Sequence, residues 1–213
     1  MGGKNKTAKR ILDQTTFDII MDLFHTHVHE IQLQDAQPLW DSIINHINEE
    51  RQKTPHEKRN RYSLTGELSY HSEDNLVALD TDWSKQLRSL CYKATYDFAQ
   101  FVQTPILKEE EVFINCWSMT MGRGAYSIQH SHPGAIYSGV FWLQVPEDMP
   151  KDQGQFVVVD PRQGARLSMY HPEGFDVAPT PSHGLVFNSW VEHLVQPHFC
   201  DGERISISWN VVF

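Results

Sequence analysis

The sequence predicts an α+β fold in which N-terminal helices pack on a strand-built core of jelly-roll type. Two observations predict it. Apolar residues recur at helical spacing in the first half of the chain. The second half changes to short runs of β-branched and aromatic residues, punctuated by glycine and proline. The 213 residues suit one domain over 1–213, mainly helical over 1–110 and β-rich over 111–213.

Leu39, Trp40, Ile43, Ile44 and Ile47 share one helical face. Pro38 suits the first turn, and the polar run Glu49 to Asn60, which contains Pro55, ends the helix. Ser63 to Asn75 reads as loop. A second helix is expected from Asp82 to Phe101, with Trp83, Leu87, Leu90, Cys91, Ala94 and Phe98 on its apolar side. His25, His27 and His29 alternate. A metal site is one reading of them, and a solvated edge strand is the favoured one.

The period then changes. Strands are expected at Phe113–Met119, Tyr137–Val145, Gln155–Val159, Gly184–Phe187, His193–Gln196 and Arg204–Phe213. Pro146 closes the second, and Asp160-Pro161 closes the third. Short strands at this density suggest a jelly roll or related barrel.

Composition excludes some functions. Hydrophobic residues make up 40% and charged residues 21%, ordinary for a globular protein. The net charge of −9 argues against coating nucleic acid, which needs clustered Lys and Arg. Cys91, Cys116 and Cys200 form no CxxC pair, which fits reduced thiols and a cytoplasmic location. The basic start has no apolar segment behind it, so no secretory signal is expected. Lys6 stands where a myristoylation signal needs Ser or Thr. No apolar run is long enough to span a bilayer.

Twelve histidines are many, and their positions matter more than their number. In Gln129-His130-Ser131-His132-Pro133 the two imidazoles are two residues apart. In extended chain they point to one side and can converge on one ion. His193 follows a predicted strand and a turn. A jelly roll can return it to the same mouth, so that three imidazoles share one face of a metal and leave positions open. Arg204 and Ser206 share a face of the last strand. A guanidinium binds a carboxylate through two parallel hydrogen bonds, and Ser206 adds a donor. An arginine near a metal suggests a dicarboxylate whose other end chelates that metal.

The segments HSHPGAIYSGVFWLQVPED, DPR, PSHGLVFNSWVEHLVQP and RISISWN occur in this order over roughly residues 115–213. Together they resemble the 2-oxoglutarate- and iron(II)-dependent oxygenases found in bacteria and their phages. The resemblance implies a double-stranded β-helix, Fe(II), 2-oxoglutarate as co-substrate and O₂. It implies that His130 and His193 ligate iron and that Arg204 grips the far carboxylate, with Ser206 assisting. His132 stands where the wider superfamily has a carboxylate. Either His132 is the second ligand, or another group such as Asp160 takes that place.

Smaller expectations follow. Asn115 and Tyr137 are candidate co-substrate contacts, with Trp117 and Ser138 beside them. Asp160 and Arg162 are expected to form a structural ion pair. Trp190 and Trp209 are expected in the core, and Asn210 behind the site. His71 is read as a loop histidine or part of a lid. His171, His183 and His198 are expected in exposed turns. The activity expected is a hydroxylase acting on a small molecule or a protein side chain. Two rivals are a cupin-type three-histidine iron dioxygenase that needs no 2-oxoglutarate, and a non-catalytic jelly-roll binding protein. No motif encodes the substrate or the oligomeric state.

Overall fold

The computed structural model describes residues 25–54, 68–73, 75–104, 108–162, 164 and 174–212. Two helices pack on one of two facing antiparallel sheets. Helix α1 (Gln37–Lys53) carries Pro38 in its first turn, where a missing N–H costs nothing. Helix α2 (Asp82–Phe101) starts at Thr81, whose hydroxyl accepts from the Ser84 N–H.

The strands are β1 (Val28–Gln32), β2 (Ser69–His71), β3 (Phe113–Met121), β4 (Ser127–His130), β5 (Tyr137–Gln144), β6 (Phe156–Val159), β7 (Gly174–Val177), β8 (His183–Asn188), β9 (His193–Val195) and β10 (Arg204–Val212). The larger sheet has the order β1-β8-β5-β10-β3-β2, and the smaller one β4-β9-β6-β7. Strands β1 and β2 come from the half expected to be helical, and they form the two edges of the larger sheet. Strand β1 overlaps the alternating histidines read as an edge strand, whereas β2, of three residues, is too short for periodicity to reveal.

The larger sheet is apolar on both faces. One face packs on the helices through Ile207, Trp209, Phe141 and Ile114, against Trp40, Ile43, Leu87 and Phe98. The other face meets the smaller sheet through Met119, Val140, Trp142 and Phe187, against Phe156, Val158 and Val195. Strand β5 lies inside this stack and is buried from Tyr137 to Leu143. Of the two tryptophans expected in the core, Trp209 is there. Its ring stacks on Phe141 and its N–H reaches the Thr95 hydroxyl. Trp190, in the turn between β8 and β9, is half exposed. The turn, not hydropathy, decides where its side chain goes.

The Trp209 indole lies across Gly139. A Cβ there would sit 2.2 Å from the ring. Gly139→Ala is therefore expected to destabilise the protein by about 1–3 kcal/mol through overpacking, read as a lower urea midpoint with unchanged m. An unshifted midpoint would show that the ring can move aside.

Candidate metal and co-substrate site

The smaller sheet brings two of the three histidines face to face. His130 ends β4 and His193 begins β9, and they form a directly opposed pair. The next residues in that row are Val158 on β6 and Phe175 on β7. His132 lies just past β4, and its backbone N–H is held by the Ser189 carbonyl at 3.0 Å. The ring centroids are 4.4 Å apart for His130–His193 and 5.1 Å for each pair involving His132. One ring nitrogen from each histidine lies within 4.8 Å of the others, and among the described residues no other cluster of this kind exists.

Backbone carbonyls fix two of the tautomers. His130 Nδ1 faces the Ile128 carbonyl at 2.7 Å, and His193 Nδ1 faces the Val191 carbonyl at 3.0 Å. A carbonyl only accepts, so each Nδ1 carries the hydrogen and each Nε2 keeps a lone pair for a metal. His193 is further held by stacking on Phe156. Burial, then the neighbouring His130, pushes His193 down to about 3 and His132 down to about 4. Both are neutral at pH 7, so a metal displaces no proton from them. Three imidazole nitrogens suit iron, nickel, zinc or copper, and the donor set fits Fe(II).

Asp160 is not in this cluster. It closes β6, and its carboxylate takes the Arg162 backbone N–H, Nε and Nη2 at 2.9, 3.0 and 2.7 Å. The expected ion pair of these two residues is present.

The histidines open on a cavity of about 260 Å³ between the sheets, lined also by Arg204, Ser206, Ser208, Met119, Met121 and Trp142. Arg204, Ser206 and Ser208 alternate along one face of β10, as strand geometry requires. The Arg204 guanidinium is 2% exposed. It donates to the Gly154 carbonyl at 2.6 Å and to Met121 Sδ at 2.9 Å, while Nε–H is buried without a partner. Burial lowers its pKa to about 10, so it stays charged at neutral pH. No carboxylate lines the cavity among the described residues.

Two expected contacts are corrected. Tyr137 does not face the cavity. As the first residue of β5 it points to the helical layer, edge-on to Phe98 and hydrogen-bonded to Thr104. Strand alternation sends Ser138 the other way, to Asn210 Oδ1 at 2.7 Å. Asn115 stands opposite Asn210 near the end of the sheet, exposed and outside the cavity lining.

Three other histidines, His71, His198 and His183, differ from expectation. His71 ends strand β2, stacks on Trp117 and lines the cavity. His198 is buried, its Nε2–H donating to the Met121 carbonyl at 3.0 Å. His183 begins β8 beside Glu30, and His171 lies outside the described residues. His29 is on edge strand β1, with His25 and His27 before it. The contributions of Met121 and Gly154 carried no motif.

Among the described residues no helix is long and apolar enough to cross a membrane.

Comparison with known proteins agrees with this geometry. Residues 115–210 match the family profile described as "Putative 2OG-Fe(II) oxygenase". No curated protein matches the sequence. Among solved structures, a prolyl-4-hydroxylase of Pseudomonas putida superposes with a TM-score of 0.63 at 15% identity, over 88% of this chain and 92% of that one. HygX of Streptomyces hygroscopicus, solved with nickel and 2-oxoglutarate bound, gives 0.58 at 13% identity, covering 88% and 83%. A prolyl hydroxylase of Trichoplax adhaerens, in complex with a hypoxia inducible factor peptide, gives 0.57 at 13%, covering 87% and 83%. At these identities the likeness establishes the fold, a mostly β jelly-roll core with helices on it. The phage association suggested by the resemblance finds no support in these matches. Residues 115–210, which hold the three histidines and Arg204, are the part of the chain that is similar to the 2OG-Fe(II) oxygenases, oxidoreductases whose cofactors are Fe(II) and 2-oxoglutarate.

Proposed function

We propose that the protein is a 2-oxoglutarate- and Fe(II)-dependent hydroxylase in which His130, His132 and His193 hold the metal and Arg204 with Ser206 holds the far carboxylate. One observation carries this reading. A buried, charged arginine with no carboxylate partner among the described residues shares a cavity with three convergent imidazoles. An uncompensated buried charge is costly, and a dianionic ligand removes that cost. Iron(II) bound at the histidines would supply the oxidising chemistry, with O₂ and 2-oxoglutarate consumed and succinate and CO₂ released.

The protein's own groups have separate tasks. The histidines supply lone pairs from fixed tautomers. Arg204 and Ser206 orient the co-substrate from the opposite end. Met119, Val140, Trp142 and Phe156 keep that space apolar, which strengthens the charge–charge contacts inside it. The substrate would enter past Trp117, which stacks on His71 and lies 5.9 Å from His132. Exposed Phe175, in the same row as the two opposed histidines, would form the other side. These surfaces suit an aliphatic or ring-bearing small molecule or protein side chain. A net charge of −9 disfavours nucleic acid.

The absence of a carboxylate from the histidine cluster, among the described residues, is the feature that favours the cupin-type alternative. Arg204 is what disfavours it, since that chemistry needs no dicarboxylate anchor. The test is succinate formation from 2-oxoglutarate with Fe(II) and ascorbate, without added substrate. Slow turnover is expected, lost in His130→Ala. No succinate under any substrate condition, with iron bound in stoichiometric amount, would select the cupin alternative. No bound metal at all would leave a binding protein.

A further inference from the structure

Among the described residues, the Arg204 guanidinium is oriented by neutral atoms only. Met121 stands directly opposite Arg204 in the β3–β10 register, so the sheet itself sets the thioether beside Nη2, 2.9 Å away. The Gly154 carbonyl takes Nη1 at 2.6 Å. We propose that Met121 and Gly154 are positioning residues for the co-substrate: they aim the guanidinium into the cavity without cancelling its charge. This rests on the cavity being a 2-oxoglutarate site.

The alternatives available to the fold define what these residues contribute. An Asp or Glu beside Arg204 would orient it equally well and pair a buried charge. It would also occupy the fork that a ligand carboxylate needs. A thioether is a weak acceptor. It holds the guanidinium plane and leaves nearly all of the positive charge for the ligand.

Both holders are themselves fixed. Gly154 has φ +61°, its N–H donates to the Pro197 carbonyl at 3.1 Å, and a Cβ on it would lie 2.9 Å from Met149 Sδ. A glycine is needed for that backbone and that space. The Met121 carbonyl accepts from Nε2–H of His198, and the His198 carbonyl in turn accepts from the Gly124 N–H at 2.7 Å. His198 is 1% exposed. The end of β3 and the turn before β6 therefore hold Arg204 from two sides.

If Met121 only fills space, its replacement by any side chain of similar volume should leave ligand binding alone. The experiment compares Met121→Leu, Met121→Gln and Met121→Glu. Binding is measured by calorimetric titration of 2-oxoglutarate into nickel-loaded protein, and melting by thermal denaturation without ligand. Met121→Leu, which loses the acceptor, should bind about five- to tenfold more weakly, a difference on the scale of one hydrogen bond to a charged group. Met121→Gln, which restores a neutral acceptor, should bind within about threefold of wild type on the same scale. Met121→Glu should lose roughly a hundredfold or more while melting no lower than wild type, because a buried charge has gained a partner.

Equal affinities for the Leu and Gln variants overturn the proposal. So does a Glu variant that binds 2-oxoglutarate normally or melts below wild type. If the Glu variant does not fold, the Leu–Gln comparison decides alone. Failure of the wild type to bind 2-oxoglutarate would instead remove the functional reading, and the Glu variant's melting temperature would still test how Arg204 is held.

Discussion

Arg204→Met is expected to abolish 2-oxoglutarate-dependent turnover at ordinary co-substrate concentrations and to stabilise the ligand-free protein. The two effects have one cause. Arg204 is buried with neutral partners and one orphan N–H, so in the absence of ligand its charge is a cost. Replacing a buried, imperfectly paired charge by an apolar side chain of similar length gains about 1–2 kcal/mol, roughly 2–8 °C in a chain of this size. The same change removes a two-pronged, charge-assisted contact to the far carboxylate. That contact is worth about 3 kcal/mol, or roughly a hundredfold in KM for 2-oxoglutarate. Arg204→Lys keeps the charge but not the fork, and should fall between. Steady-state kinetics and a melting curve on one preparation check both halves. An unchanged KM would remove Arg204 from the co-substrate site. A lower melting temperature would mean that the guanidinium is held for structure.

The fold and the ligand set differ in how far they can be read from sequence. The spacing of Trp40, Ile43 and Ile47 and the long apolar face of Asp82–Phe101 identify both helices, because the pattern persists over several turns. The alternation of Arg204, Ser206 and Ser208 with Ile205, Ile207 and Trp209 identifies the last strand and its two faces. The histidine pair and the later histidine are visible for the same reason, since strand geometry alone puts residues two apart on one side. What is not legible depends on register. That Tyr137 faces the helices, while Val140 and Trp142 face the cavity, follows from which face of β5 meets which layer, and local sequence is symmetric in that choice. His198 looks like any turn histidine until the β3–β10 pairing brings the Met121 carbonyl to it. Phe175 belongs to a four-residue strand whose relation to His193 exists only through Val158.

His132 is the ligand whose replacement separates the possible metal sites. His132→Ala and His193→Ala are each expected to lose stoichiometric iron, with metal affinity lower by about a hundredfold or more. Deleting a direct ligand should cost at least as much as deleting the outer partners that orient one. Were Asp160 the second ligand, His132→Ala would keep its iron and Asp160→Asn would lose it. The opposite is expected. The Asp160 carboxylate is taken up by three donors of Arg162, and its loss should disturb only that turn. His132→Asp adds a sharper test. An aspartate past the end of β4 can supply one oxygen where the methyl group of an alanine supplies nothing, so this variant should retain iron. The new ligand is anionic, however, and lowers the net charge at the metal by one unit relative to an imidazole. The chelating end of 2-oxoglutarate is itself a carboxylate, so it should bind more weakly there, while the far end at Arg204 is unaffected. A His132→Asp variant with full iron and a raised Kd for 2-oxoglutarate would show that the third imidazole serves co-substrate binding. Full iron with an unchanged Kd would show that the two ligand types are interchangeable in this cavity.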